Sequence, residues 1–273
     1  MRRVPPCLPP TTRIAPAKSA LERRVLQRVP GVATAAVLLI GCTTRPVSLE
    51  GTGRPGEIAA RPGRPGIVVA APHGTSDLGT GAMAAEIARL TGFGLVVATD
   101  FNVSENPGRR YQVNRPMEGV AGHPASEDVE SERARSVYEA YERRVRDAAQ
   151  GPLAFYAEIH GNSRPQSAER VEIATAGVDA EQAQKLRTLF ELVRDAHLRA
   201  HSSALRLQVR VEPADPLSDT AAGAKRAGIL RLPQRALHIE LPRVARHEAR
   251  ELYTLILADF LREAIALPLP ARR

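Results

Sequence analysis

Apolar positions recur along the chain with two different periods, one typical of strands and one typical of helices. Short apolar or alternating runs predict strands at residues 67–71, 95–98, 153–159, 170–174, 205–211 and 236–241. Apolar positions at helical spacing predict helices at residues 80–90, 126–150, 179–201 and 246–265. This repeated alternation of strand and helix predicts a single α/β domain with a mostly parallel or mixed sheet.

The stretch from Ile67 to Asn102 is the unit around which the rest of the domain is organised. Its first strand stops at Pro72, and a polar loop with His73 and Asp77 leads into the helix of residues 80–90. Loops that follow the strands of open α/β sheets are where active sites collect. The irregular segments 103–125 and 213–228 are predicted loops, and the first is long enough to suggest a functional role.

The N-terminal residues 1–42 resemble a lipoprotein signal segment. Basic residues end at Arg28, an apolar run covers residues 32–40, and Leu39-Ile40-Gly41-Cys42 resembles a bacterial lipobox with Cys42 as the lipidated residue. The alternative is a buried apolar segment with a stray cysteine. Initiation nearer Val25 would fit a signal peptide better than the long Pro-rich start.

A lipidated Cys42 predicts an exported bacterial lipoprotein, anchored to a membrane and facing the periplasm or the surface. Residues 43–65 are rich in Gly, Pro and Arg, which predicts a flexible tether. The folded α/β domain is then expected at residues 66–273. The only cysteines are Cys7 and Cys42, so that domain has no thiol for catalysis or metal binding.

The net charge of +8 does not predict nucleic-acid binding. Basic residues far outnumber the single acid, Glu22, in the first 41 residues, and the rest of the chain is close to neutral. The body also lacks a basic stripe with interleaved aromatic residues.

Polar residues follow three predicted strands, and they suit a catalytic zinc site. Such a site takes three N or O ligands and keeps one position open, which His73, Asp77 and His160 could supply. Glu240 could then act as the general base for water. Taken singly, each histidine has the alternative of a packing role, and Glu240 that of a surface acid.

Four short blocks within residues 67–243 carry a resemblance to a known family: His73-Gly74 with Asp77, Asn114-Arg115-Pro116, Glu158 to Asn162, and Ile239-Glu240. Together they resemble the N-formylglutamate amidohydrolase family and, more distantly, zinc carboxypeptidase-type and poly-γ-glutamate hydrolase folds. The resemblance implies a phosphorylase/hydrolase-like three-layer α/β sandwich and zinc-dependent amide hydrolysis. It also implies His73, Asp77 and His160 as metal ligands, Glu240 as base and Arg115 as the binder of a substrate carboxylate.

The match departs from the carboxypeptidase pattern at one ligand. That pattern is His-x-x-Glu, whereas here Asp77 stands four residues after His73. Asp77 is therefore either a ligand or a residue that orients a histidine. The departure, together with Gly74 where the family often has Ser, suggests a divergent substrate.

Two arginines are candidates for substrate binding. The guanidinium of Arg115 can hold a carboxylate bidentately beside the donor and acceptor of Asn114, although it could instead pair with a structural acid. Arg243 lies just past Glu240 and could polarise the scissile carbonyl or have an ordinary surface role. His238, on the same strand face as Glu240, suits a core or supporting role.

These residues together predict a zinc-dependent amidohydrolase that cleaves an amide bond of an N-acyl amino acid or acidic peptide in the cell envelope. The main competing hypothesis is a metal-free lipoprotein that keeps the fold and only binds an envelope component. A weaker one is an esterase with Ser76 as nucleophile, although Ser76 is not in a Gly-x-Ser-x-Gly turn.

Overall fold

The computed structural model describes residues 47–48, 56–101, 108–120, 122–201 and 203–268. The predicted signal segment and Cys42 lie outside these residues, so their roles stay predictions. No helix in the described ranges is both long and apolar enough to cross a membrane.

Strands and helices alternate through the described residues. The strands are β1 (Val47–Ser48), β2 (Glu57–Arg61), β3 (Arg64–Ala71), β4 (Phe93–Thr99), β5 (Arg109–Gln112), β6 (Met117–Val120), β7 (Phe155–Gly161), β8 (Arg170–Ala176), β9 (Gln208–Val211) and β10 (Arg235–Leu241). The α-helices are α1 (Thr80–Thr91), α2 (Glu132–Ala149), α3 (Ala180–Leu198), α4 (Ala222–Ala227), α5 (Arg243–Arg246) and α6 (Arg250–Ala264).

The main sheet of the described chain has eight strands in the order β1-β2-β4-β3-β7-β10-β8-β9. Its middle four strands, β4, β3, β7 and β10, are mutually parallel, whereas β2 and β8 join them antiparallel. A separate hairpin is formed by β5 and β6. The carboxyl ends of the four parallel strands therefore lie along one edge of the sheet.

Helices cover both faces of this sheet. Because successive side chains in a strand point to opposite faces, Val69 of β3 belongs to the apolar cluster that includes α1, α3 and α6, whereas Val68 belongs to the cluster that includes α2 and α4. The result is a three-layer α/β sandwich with a mixed sheet, which confirms the predicted fold class.

The folded part begins earlier than predicted. Strand β2 lies inside the predicted tether of residues 43–65 and pairs antiparallel with β4. Its Ile58 is fully buried and Ala60 nearly so, whereas the residues between them are exposed. A short strand with two small inward positions has too little apolar content to stand out from the Gly, Pro and Arg around it.

Three other elements also differ from the sequence prediction. The segment 213–228 contains helix α4, built largely from Ala and Gly, and the segment 103–125 contains the β5–β6 hairpin. The C-terminal helix begins at Arg250, after the separate short helix α5. The spacing of apolar positions does not separate α5 from α6, because apolar residues continue between the two helices.

Candidate functional site

The ends of three adjacent parallel strands bring the predicted site residues together. His73 lies two residues past the end of β3, His160 is near the end of β7, and Glu240 is near the end of β10. The register of β7 and β10 sets His160 opposite Glu240. A cavity of about 260 Å³ opens at this edge. Its polar lining is His73, Asp77, Arg110, Gln112, Asn114, Arg115, His160, Asp219, His238 and Glu240.

His73, Asp77 and His160 form a cluster whose geometry suits a metal ion. One ligand atom from each lies within 4.8 Å of the others. Oδ2 of Asp77 is 3.6 Å from Nδ1 of His73 and 3.4 Å from Nδ1 of His160. Tetrahedral zinc, with ligands about 2.0–2.1 Å away, places those ligands roughly 3.3 Å apart. The donor set and its spacing therefore fit zinc.

A tight turn explains how Asp77 reaches the cluster at an unusual sequence spacing. The amide of Asp77 donates to the carbonyl of His73 at 2.8 Å, so the side chains four residues apart lie on the same side of the turn. Oδ2 of Asp77 also accepts from the amide of Gly161 at 3.1 Å, which ties the loop to the end of β7. The carboxylate thus lies between both histidines.

A buried polar network supports this cluster from behind. Oε1 of Glu158 accepts from Nδ1 of His238 at 2.6 Å and from Nδ2 of Asn114 at 3.2 Å. Nε2 of His238 is 3.0 Å from Oε1 of Glu240, and the rings of His160 and His238 stack at 4.1 Å. The imidazole of His238 thus links the carboxylates of Glu158 and Glu240.

Glu158, His160 and His238 also form a set of potential metal ligands, since their ligand atoms lie within 4.8 Å of one another. All three are buried, and Glu158 and His238 are already engaged with each other. Nε2 of His160 is 3.2 Å from Glu158 but lacks a well-directed hydrogen bond within the described chain. We therefore interpret this set as support for the solvent-facing cluster, with which it shares His160.

The pKa values of these groups indicate a strongly coupled charge cluster. Burial alone would raise the pKa of Asp77 and of Glu158, but the neighbouring histidines outweigh it and hold both pKa values well below the ordinary range. Burial would lower the pKa of His160, but the charge of Glu158 and the hydrogen bond with Asp77 raise it well above the usual value. The pKa of His238 is raised as well, because its bonds to Glu158 and Glu240 outweigh burial and the charge of His160.

Arg115 lines the cavity, and its guanidinium is available for a ligand. Within the described chain, no ion pair or side-chain hydrogen bond engages it, although it is only partly exposed. A Cβ added to Gly223 would lie 3.0 Å from Cδ of Arg115, so α4 packs closely along its stem. The predicted alternative of a structural ion pair is not supported by this position, because the charges of Asp128, Glu158 and Asp219 act on Arg115 from beyond ion-pair distance.

Asn114 lines the cavity, whereas Arg243 does not. Asn114 is fully buried, its amide nitrogen donates to Glu158, and its Oδ1 has no hydrogen-bond partner among the described residues, so its predicted substrate role stays a prediction. The side chain of Arg243 is 76% exposed and lies 3.7 Å from Glu248, and it does not line the cavity. Helix α5 begins at Arg243 and directs it to the surface, so its predicted substrate role is not supported by its position.

Glu158 and Asp219 lie at the site but were not assigned a role from the sequence. Glu158 and His160, like His238 and Glu240, are two residues apart on buried strands and therefore share a face. Charged pairs at that spacing in apolar strands are a signal that could have identified Glu158. Asp219 had no such signal, since it lies in a loop and reaches the cavity with its carboxylate bound to Arg164 at 2.8 Å.

Comparison with known proteins gives limited likenesses. No known family model matches the chain, and no curated protein matches it. It is similar to a bacteriophage poly-gamma-glutamate hydrolase, at 11% identity and a TM-score of 0.43, over 77% of this chain and 88% of that one. It is also similar to a Burkholderia cenocepacia metallo-carboxypeptidase (15%, TM-score 0.37, 82% and 66%) and a Vibrio parahaemolyticus succinylglutamate desuccinalase (15%, TM-score 0.34, 83% and 68%).

The first two of these names are among the distant relatives that the sequence resemblance indicates. The N-formylglutamate amidohydrolase family itself is not among the likenesses described, so that part stays a prediction. Likenesses of this size do not define an activity, which has to be inferred from the site.

Proposed function

We propose that the chain is a zinc-dependent hydrolase of amide bonds whose substrate carries a carboxylate. The observation that carries the proposal is the convergence of His73, Asp77 and His160 within 4.8 Å, in a cavity that also contains Glu240 and Arg115, which has no ion-pair partner among the described residues. The residues proposed as ligands, base and anion binder come from separate parts of the chain and line one cavity.

The three clustered residues would hold the metal, and Asp77 would be a ligand in its own right. A zinc ion bound there would polarise the amide carbonyl and acidify water. His160 must lose a proton to bind it, since only neutral imidazole is a ligand. Glu158, 3.2 Å from the other nitrogen of that ring, would become the carboxylate partner that metal-binding histidines commonly have, once the ring is oriented by the metal.

Glu240 would act as the general base. Its pKa is lowered, because the bond to His238 and the nearby charge of His160 outweigh burial, so it is ionised at neutral pH as a base must be. His238 occupies Oε1, which leaves Oε2 to take the proton from water and pass it to the leaving amine nitrogen.

Arg115 would hold the substrate carboxylate and so place the amide bond against Glu240. A guanidinium that is mostly removed from water and has no partner within the described chain favours an anion, and its planar shape suits a bidentate carboxylate. N-acyl amino acids and acidic peptides meet this requirement. A cell-envelope location is part of the proposal only through the predicted lipoprotein signal.

The first experiment is metal content by elemental analysis of the protein and of His73→Ala and His160→Ala variants. We expect about one zinc per chain, lost in both variants. His197→Ala is the matched control, because His197 pairs with Asp259 at 2.9 Å away from the cavity and should keep its zinc. A folded, metal-free protein that is unchanged by both substitutions would refute the proposal and favour a binding function.

A further inference from the structure

The side chain of Arg246 is buried directly behind the site. It extends from the short helix α5, and the residue is only 5% exposed. Its guanidinium donates to three backbone carbonyls: Nη1 to Leu78 at 2.6 Å, Nε to Leu241 at 3.2 Å and Nη2 to Asn162 at 3.4 Å. One side chain thus contacts three segments that are distant in sequence.

These three segments are the ones that carry the proposed site. Leu78 directly follows Asp77, and Leu241 directly follows Glu240. The third carbonyl lies two residues beyond His160. An arginine suits this position because its planar fork directs five N–H donors at fixed angles, so displacement of one segment weakens the bonds to all of them.

The backbone around Arg246 is packed too closely for side chains. A Cβ on Gly161 would lie 2.4 Å from Cζ of Arg246, and one on Gly79 would lie 2.5 Å from its carbonyl oxygen. Gly79 also has a φ of 91°, which glycine adopts without strain. Both strand-end segments therefore lie directly against this arginine.

Arg246 has no carboxylate within ion-pair distance among the described residues, which is unusual for a buried cation, although the charges of Asp77 and Glu240 act on it from farther away. Carbonyl dipoles take up its hydrogen bonds instead. Since a buried charge without an ion pair is a poor source of stability, a role in arranging the surrounding segments is the better explanation for its presence.

We propose that Arg246 is a positioning residue that holds the three strand-end segments at the mutual spacing that metal binding requires. The inference rests on the proposed function, because the spacing of these segments matters most if a metal joins two of them. Loss of a residue that orients metal ligands commonly costs 10–100-fold in metal affinity, and we expect about that loss here.

Arg235 provides a matched control. It is 2% exposed and also donates to three backbone carbonyls, those of Ala264, Leu267 and Pro268, at 2.7–3.1 Å. It lies at the start of β10, about 16 Å from Glu240 at the usual strand rise. A general loss of stability from removing a buried arginine should therefore be shared by both positions, whereas a loss of metal affinity should not.

The experiment compares full-length wild type, Arg246→Met, Arg246→Lys and Arg235→Met. Zinc dissociation constants come from competition with a chromophoric chelator, ligand geometry from the visible spectrum of the cobalt-substituted protein, and stability from urea unfolding without metal. We expect at least a tenfold weaker zinc affinity and a changed cobalt spectrum in both Arg246 variants, because Lys keeps the charge and loses the fork. Arg235→Met should lose stability only.

Wild-type zinc affinity and an unchanged cobalt spectrum in Arg246→Met would overturn the proposal. So would an equal loss of affinity in Arg235→Met, since the effect would then be general destabilisation. If Arg246→Met does not fold, Arg246→Lys decides by the same criteria. A wild-type protein that binds no zinc refutes the proposed function itself, which separates that failure from a failure of the role of Arg246.

Discussion

Replacement of Glu240 by Gln separates the proposed base from the metal ligands. In the wild type, Nε2 of His238 lies 3.0 Å from Oε1 of Glu240. Gln has the same shape and still accepts this hydrogen bond, but it cannot take a proton from water. General base catalysis contributes about 10²–10⁴-fold, so we expect kcat/KM to fall by that factor, or roughly 3–5 kcal/mol.

The effect on stability and metal binding should be small by comparison. A charge-assisted hydrogen bond becomes a neutral one, which costs about 1 kcal/mol of unfolding free energy. For a domain of this size, that corresponds to a fall in Tm of about 2–4 °C. Glu240 is outside the cluster of His73, Asp77 and His160, so zinc content should stay the same.

The assay is steady-state hydrolysis of N-acyl amino acids and acidic peptides, followed by amine release, with zinc measured on the same samples. Glu248→Gln is the control, because Glu248 is exposed, pairs with Arg243 and is outside the cavity. A fall in kcat/KM of less than about tenfold with zinc retained would contradict the role of Glu240 as base. Loss of zinc would instead make it a ligand.

Two further predictions concern the substrate and pH. Arg115→Met should lower kcat/KM roughly 100-fold for a carboxylate substrate, because about 3 kcal/mol of charge-assisted hydrogen bonding is lost. The matching carboxamide substrate should be affected only slightly. An equal loss for both substrates would refute the role of Arg115 in binding an anion. Without metal, His160 and His238 have raised pKa values, so their stabilisation is full below the ordinary pKa of 6.5 and is lost as pH rises through the folded values. Asp77 and Glu158 have lowered pKa values, so theirs is full above about 4.5 and is lost as pH falls through the folded values. Urea unfolding in chelator should therefore show greatest stability between about pH 4.5 and 6.5, and stability that increases from pH 6.5 to 8.5 would contradict this.

Much of the fold can be predicted from the sequence, because the spacing of apolar residues along the chain indicates whether a segment is a strand or a helix. The run at 67–71 predicts the buried part of β3, and the spacing of Met83 and Ile87 predicts α1. The order of strands and helices then implies an α/β sandwich, and polar residues just after buried strands indicate the edge where a site can form. Strand β2 was missed, because its two inward residues, Ile58 and Ala60, are buried in a cluster that includes α2, which is distant in sequence.

The arrangement of the site was decided by tertiary structure. The sequence alone specified which residue types follow each strand, and so His73, Asp77, His160 and Glu240 could be proposed together. It could not show that a turn places Asp77 between two histidines, or that α5 directs Arg243 to solvent.

Contacts across long sequence separations have no local signal. Arg246 binds the carbonyl of Leu78, 168 residues away, and Glu158 binds His238, 80 residues away. Only the parallel register of β3, β7 and β10 makes these residues neighbours, because backbone hydrogen bonding between strands fixes which strand ends meet.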